Sequence, residues 1–438
     1  MDILKGNVKS IYLKYLASAF GSALISSIYG IVDMAMVGNY HGPEGSAAMG
    51  VFAPIWNIIY SFGLLAGIGG SVLFSEAKGK EKGESKKANE YFTAAIIFGL
   101  ILPLITSILI IFFGKPLLYI FGADDNLFLL AEKYLEPIKY TAVFFIFTQL
   151  ISAFLRNDNN PGLATAAVLF GGIFNIFGDW FFVFYLDLGI YGAGLATSLG
   201  AVLSLLLSLT HFLKKKCTLC LVKPKKTVKL LKDIAVVGFP TCITDIAMGI
   251  MTVLFNRQIM QYLGTDALSV YAVIINISTF VQCCAYSVGQ ASQPIFSINF
   301  GAGKYHRIKE CFKYSVITSF AFGIIWTAVS LLFPEFFVYL FMTPTESVLR
   351  IAPMIIRIYS LSFVLLPFNV FSTYYFQSIM QPKVSFVISI LRGAVVSGGL
   401  IMLLPLIFTA DALWYSMLIT EILISLLVII FIKKAEKI

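Results

Sequence analysis

Two aspartates, an asparagine and a threonine carry the most chemistry in this 438-residue chain. The stretch "FNIFGDWFFVFY", Phe174 to Tyr185, has seven aromatic residues in twelve, yet it keeps Asn175 and Asp179 four positions apart. On a helix, positions i and i+4 share a face. An ionised carboxylate at the middle of a bilayer costs about 2.5–3.5 kcal/mol on insertion scales, so such a group turns inward and marks a proton or ion path. Asp33 and Thr197 stand in two other apolar stretches. Two carboxylates close together in a dry pocket cannot both stay ionised cheaply, so one retains a proton. The same carboxylate, amide and hydroxyl oxygens are also the hard ligands that Na+ requires. The residue types allow either ion.

The elements that must position these groups are membrane spans. The chain is 58% hydrophobic and only 13% charged, with a mean hydropathy of +0.87. A soluble domain carries about 25% charged residues. Aromatic residues make up 15%, as expected of lipid-facing and interfacial surface. Runs of roughly 20 apolar residues mark spanning helices. Twelve occur, at about 12–37, 47–75, 91–113, 134–155, 163–185, 191–213, 235–261, 268–290, 313–334, 353–377, 384–407 and 411–432. The amino-terminal stretch lacks a short apolar core followed by a small-residue cleavage site, so the first run reads as a retained span.

Lys and Arg set the orientation. With the amino terminus in the cytoplasm, 26 of the 32 fall on the inner side, Arg156 and Arg392 among them. Lys115, Lys133, Lys139, Arg257, Arg350 and Arg357 fall on or near the outer side. Both termini are therefore expected in the cytoplasm, with the chain a multi-pass protein of the plasma membrane. This split accounts for the net charge of +9 without a nucleic-acid partner.

The halves repeat. "YHGPEGSAAMGVFAPI" from Tyr40 matches "YLGTDALSVYAVIINI" from Tyr262, Lys80 matches Lys304, and Pro161 matches Pro382. An even number of spans per half makes the repeats parallel, related by an axis along the membrane normal. The expected fold is all-α: twelve transmembrane helices in two pseudo-symmetric six-helix lobes, 1–213 and 233–438, joined by a basic cytoplasmic loop at 214–232.

Depth brings the polar residues together. At about 1.5 Å per residue, Asp179 and Thr197 lie roughly 9 Å and Asp33 about 7–8 Å from the outer ends of spans 5, 6 and 1. Three helices thus place polar groups at one depth in the outer half of the first lobe. Asn157, in "LRNDNNP", lies at the cytoplasmic end of span 4 and is excluded from that cluster.

Other chemistry is thin. No GxxxxGK[ST] phosphate loop occurs, so no ATPase is built in. His41, His211 and His306 are far apart near span ends and read as solvated. Cys217 and Cys220 form a C-x-x-C without a second ligand pair and read as reduced thiols. An enzyme is not expected, nor a cofactor beyond a coupling ion. The span 2–3 loop and its repeat lack the Asp-Arg pair of the major facilitators.

"VDMAMVGNYHGPEGSAAMG", "LRNDNNPGLATAAVLFGGIFNIFGDWFFV" and "GIYGAGLATSLG" in the first half resemble the multidrug and toxic compound extrusion (MATE) family. So do "GQASQPIFSINFGAGK" and "YYFQSIMQPKVSFVISILRG" in the second. The resemblance implies a cation-coupled exporter that exchanges inward H+ or Na+ for an outgoing small organic compound by alternating access. It also implies that Asp33, Asn175, Asp179 and Thr197 fall where the family's first-lobe cation site lies, with Na+ as one candidate occupant. The acids that another branch keeps in spans 7 and 10 are reduced here to Asp245, with Asn369 in span 10. Span 1 has Gly21 and Gly30 but no proline, so the proline-centred bend proposed in parts of the family has no obvious hinge.

For the cargo, Asn57, Asp245, Asn256, Asn276, Gln282 and Asn369 are expected along the cleft. Met34 and Met248, with Met36, Met49 and Met251, are adaptable apolar wall. A lipophilic, often cationic solute suits an acidic, aromatic cavity. The chain is expected to act as a monomer in membrane lipid. A flippase for a lipid-linked or polysaccharide precursor is the alternative, and its cleft would need several buried basic residues. Only Arg257, Arg357 and Arg392 lie well inside spans.

Overall fold

Inside hydrocarbon every backbone donor must bond within its own segment, which leaves helices as the form for these apolar runs. The computed structural model describes residues 3–81, 86–121, 123–215, 217–342 and 344–435, and among them all regular structure is helical. Among the described residues, twelve helical segments are long and apolar enough to cross a membrane. Spans 1 to 4 are Val8–His41, Glu44–Lys80, Lys86–Ile120 and Leu127–Asn157; spans 5 to 8 are Pro161–Tyr185, Gly189–Leu213, Thr227–Tyr262 and Thr265–Gly301. Tyr305–Leu332, Glu346–Ser378, Pro382–Ile407 and Ala410–Ala435 complete the set. Most run past the apolar windows into flanking polar sequence, because a helix does not stop where the bilayer does. Large apolar side chains such as Leu104, Phe112, Phe170, Ile325 and Leu406 are exposed, as suits a surface facing lipid tails.

Spans 1–6 pack among themselves, as do spans 7–12, and the two sets meet where span 2 lies against spans 7 and 8 and span 1 against span 8. Backbone geometry repeats with the sequence. Asn159 and Met380, 221 positions apart, both have φ of 61° in the turn before a helix-opening proline; Gly42 (71°) and Gly264 (85°), 222 apart, both precede the second helix of a repeat. For a side chain as bulky as Met380 the left-handed region is rare, so the shared turn is a structural signature of the duplication.

The two sets touch through glycines. A Cβ on Gly79 would lie 2.2 Å from the Ile298 carbonyl oxygen, and one on Gly301 would lie 2.0 Å from that of Glu76. These contacts exchange under the 222-residue repeat, so the pseudo-twofold axis passes between spans 2 and 8 at their basic-loop ends. Gly69 and Gly238 make a second such contact, with Cβ positions 2.3 Å from the Ile234 carbonyl and 2.1 Å from that of Leu65. Without a hydrophobic drive between helices in lipid, close backbone approach at small residues is what holds them together. Asn157 donates to Gln293 Oε1 (2.9 Å), accepts from Gln293 Nε2 (3.2 Å) and accepts from Ser75 Oγ (2.5 Å), closing the same seam with buried bonds.

Two expectations change. The connection between the sets is shorter than 214–232, because the helix of span 7 already begins at Thr227. His211 is buried rather than solvated, bonding Asp158 and Asn160. Arg156, at the carboxyl-terminal end of span 4, and Arg392, inside span 11, are buried as well. Of the lysines counted on the inner side, Lys82, Lys216 and Lys437 lie outside the described residues.

Candidate cation site and cleft

Asp33, Asn175, Asp179 and Thr197 are all buried, at 3%, 2%, 0% and 5% exposure. Span 6 enters through "GIYGAG", whose small residues let it lie close to its neighbours: a Cβ on Gly194 would meet the Tyr134 carbonyl of span 4 at 2.4 Å. That approach brings the groups within reach of one another. The Thr197 hydroxyl donates to Asp33 Oδ2 (3.3 Å) and accepts from Asn175 Nδ2 (3.0 Å). Tyr134, from span 4, donates its phenol to the same Asp33 oxygen at 2.6 Å.

Asp179 is the last α-helical residue of span 5, and a π-helical turn, Trp180–Tyr185, follows at once. Such turns concentrate at functional sites. Neither carboxyl oxygen of Asp179 has a hydrogen-bond partner among the described residues, nor do Asp33 Oδ1 and Asn175 Oδ1. Asp33 and Asp179 are near enough to repel one another when both are ionised. Four buried acceptor oxygens in one cluster thus lack donors among the described residues, where most buried polar groups of a fold find a partner. A proton or a small hard cation is what such a set accepts. A cavity of about 50 Å3 adjoins it, lined by Tyr29, Trp56, Tyr60, Asn175 and Thr197 among others. That is room for more than one water molecule.

Tyr134 was not singled out by type and spacing, because a tyrosine near the outer end of a span is ordinarily interfacial. Its signal was depth: it opens the apolar run of span 4 on the side where the acids lie. A Tyr134→Phe variant is expected to shift the concentration of coupling ion needed for half-maximal transport by about tenfold or more, since a bond to a charged group is worth roughly 1.5–3 kcal/mol. For H+ the shift is downward, because the phenol favours the charged carboxylate. Cargo affinity measured without an ion gradient should stay within about twofold.

The expected cleft residues separate. Asp245 is 8% exposed; it accepts from the Tyr286 phenol, and its Oδ2 has no partner among the described residues. Asn57 is partly buried, with its amide nitrogen 3.9 Å from where a Gly249 Cβ would stand on span 7, so it faces the second set across the gap. Gln282 is buried and Asn276 partly buried, the latter bonding its own helix at Ala272. Met34 and Met248 are exposed, and Asn256 is exposed on span 7. Met36 is partly buried, whereas Met49 and Met251 belong to the packed core. Asn369 is not on the cleft. It is fully buried and donates to Glu421 Oε2 at 2.6 Å.

At the opposite ends of spans 4 and 6, Asp158, His211 and Cys217 place three ligand-type atoms within 4.8 Å of one another. The carboxylate is already engaged by Lys78 Nζ (2.9 Å), His211 Nε2 (2.8 Å), the Thr218 amide (2.9 Å) and the Thr218 hydroxyl. The cluster is an anchor for the connecting segment, which also bonds Asn89 and Thr93 through the amides of Cys220 and Val222. Burial alone would push the Asp158 carboxyl up, but the His211 bond and the Lys78 ammonium outweigh it and bring it down to about 2. A depressed carboxylate contributes stability that is full above its unfolded value near 4 and fades as pH falls through about 2. Protease protection of residues 217–226 should therefore hold from pH 8 to 5, and Asp158→Asn should remove it at neutral pH.

The MatE family model matches residues 18–181 and 240–398, which together span most of both repeats. The chain belongs to the MATE family. It is accordingly a multi-pass membrane transport protein and not an enzyme. The chain is 25% identical over 408 residues to the multidrug export protein MepA of Staphylococcus aureus (strain NCTC 8325 / PS 47), covering 92% of this chain and 88% of that one. With MepA of Staphylococcus saprophyticus it shares 27% identity over 298 residues, 68% of this chain and 65% of the relative. Among solved structures it superposes on the outward-facing conformation of a multidrug resistance MATE family transporter of the MOP superfamily. The TM-score is 0.91 at 22% identity, over 100% of this chain and 98% of the other. A MOP superfamily transporter from Pyrococcus furiosus gives 0.89 at 22%, over 98% and 96%. At such identities these structures speak for the fold alone, and the MATE fold is what they share.

Proposed function

We propose that this MATE chain exports organic compounds, lipophilic or cationic, in exchange for H+ or Na+ taken up at Asp33, Asn175, Asp179 and Thr197, with Tyr134 positioning Asp33. The observation that carries the reading is the set of four buried acceptor oxygens without donors on Asp33, Asn175 and Asp179. Uptake of a cation there neutralises the carboxylates and favours a closed, water-poor first lobe. A cationic cargo in the adjoining aromatic cavity is favoured by the opposite state, in which the carboxylates are charged. Two ligands that each favour a different state exchange for one another. The glycine seam between spans 2, 7 and 8 is the surface that opens and closes, with both termini and the basic loops on the cytoplasmic side. The export activity named for the MepA relatives supports multidrug cargo.

Against the flippase alternative, Arg392 is neutralised by Glu421 and Arg357 donates to the Leu331 carbonyl, which leaves Arg156 among the buried bases. The reading is tested by efflux of a fluorescent organic cation from proteoliposomes under a pH gradient or a Na+ gradient applied separately. One gradient is expected to accelerate efflux; if neither does, coupling is absent.

A further inference from the structure

Near the centre of the second lobe lies a polar network that the transport reading does not use. Glu421, on span 12, is fully buried; Arg392, on span 11, donates to its Oε1 from Nε (2.9 Å) and from Nη2 (2.8 Å). Asn369, on span 10, donates to Glu421 Oε2 at 2.6 Å and to its backbone carbonyl at 2.9 Å, and accepts from Ser425 at 3.0 Å. Taking two charges out of water costs several kcal/mol each, in the order-of-magnitude sense, so a pair like this is weak evidence of stability and calls for another reason.

The duplication supplies one. At the 221-residue offset fixed by the Asn159 and Met380 turns, Arg392 falls on Gly171 and Asn369 on Thr148. The Thr148 hydroxyl contacts the Ala201 carbonyl at 3.3 Å, as the Asn369 amide contacts that of Glu421, which sets Glu421 on Ala201. Thr148, Gly171 and Ala201 all line the first-lobe cavity beside the cation site. One lobe is hollow where the other is filled by an arginine, its carboxylate and an amide. Each lobe also has a π-helical turn at its buried charge: one follows Asp179, and the other, Leu391–Val395, contains Arg392.

We propose that Arg392 is a tethered cation standing in the second lobe's counterpart of the first-lobe cavity, where it holds Glu421 ionised and confines ion coupling to the first lobe. The guanidinium cannot be released, so Glu421 neither gains nor loses an ion during transport. The confinement to one lobe rests on the proposed first-lobe site; the role of Arg392 toward Glu421 does not.

A membrane-permeant carbodiimide tests the two separately, because it adds to protonated carboxyls in apolar surroundings and spares ionised ones. In wild-type protein in Na+-free liposomes, peptide mass spectrometry should find Glu421 labelled at less than about one-tenth the level of Asp179. Arg392→Met leaves a buried carboxylate without its cation, which must take up a proton, so Glu421 labelling should rise at least about tenfold. Arg392→Lys should stay unlabelled. Labelling of Glu421 in wild type overturns the proposal, as does its absence in an inserted Arg392→Met. If Arg392→Met fails to insert, the wild-type and Arg392→Lys results decide. Unlabelled Asp179 and Asp33 would instead count against the first-lobe reading.

Discussion

Asp179→Asn and Asp33→Asn should each reduce gradient-driven efflux to background, a fall of at least about tenfold, while both proteins insert and still bind cargo. The size of the effect follows from what the carboxylates lack. Both oxygens of Asp179 are buried without a donor among the described residues, so no network inside the protein needs its charge. The bonds that Asp33 Oδ2 accepts from Tyr134 and Thr197 can pass to an asparagine oxygen. Removing that charge relieves a buried carboxylate rather than orphaning a partner, and thermal stability should hold or rise. What is lost is differential affinity of two states for the ion, without which a gradient shifts nothing. The measurement is efflux in proteoliposomes beside equilibrium cargo binding in detergent. A variant that loses both has failed by unfolding. One that keeps both shows that the aspartates only join helices.

The second large effect is at the seam. Gly301→Val should cut transport at least about tenfold and hold the basic ends of spans 2 and 8 apart. A Cβ at Gly301 would sit 2.0 Å from the Glu76 carbonyl oxygen, and at Gly79 2.2 Å from that of Ile298. The atoms in the way are backbone, which cannot rotate aside, so the helices themselves must part. The observable is reaction of a cysteine at Ser297, fully buried beside Gln293 in span 8, with a water-soluble maleimide. In a background freed of native cysteines it should react slowly while Gly301 is kept and at least about tenfold faster once Gly301→Val is added. Unchanged reactivity and transport would mean the seam has slack and is not the moving surface.

Much of this architecture was legible before coordinates. Apolar run length and the lack of backbone partners in lipid fix twelve helices, and the three paired anchors expose the duplication. Depth alone put Asp33, Asn175, Asp179 and Thr197 on one level, because rise per residue is uniform along a helix. What it missed is whatever depends on azimuth. Asn369 and Arg392 are at plausible depths, but their faces turn into the second lobe, where Glu421 binds both. Glu421 itself drew no notice in an apolar run near the carboxyl end. Likewise His211 is buried because Asp158, fifty-three positions earlier, is beside it in the fold. Spacing along one helix reads faces; pairing between helices needs the packing.

Exchange is most directly tested with no ion gradient imposed. Vesicles loaded with an organic cation and diluted into cargo-free buffer at equal pH and equal Na+ should drive the coupling ion inward, uphill, as the cargo leaves. The ion flow is read by an interior pH dye or by radioactive Na+. Linkage requires this reciprocity if the two ligands favour opposite states of one site. Wild-type protein should produce the inward ion flux, and Asp33→Asn/Asp179→Asn should abolish it while cargo still binds. Cargo efflux without ion entry in wild type, or ion entry undiminished in the double variant, would contradict a first-lobe coupling site.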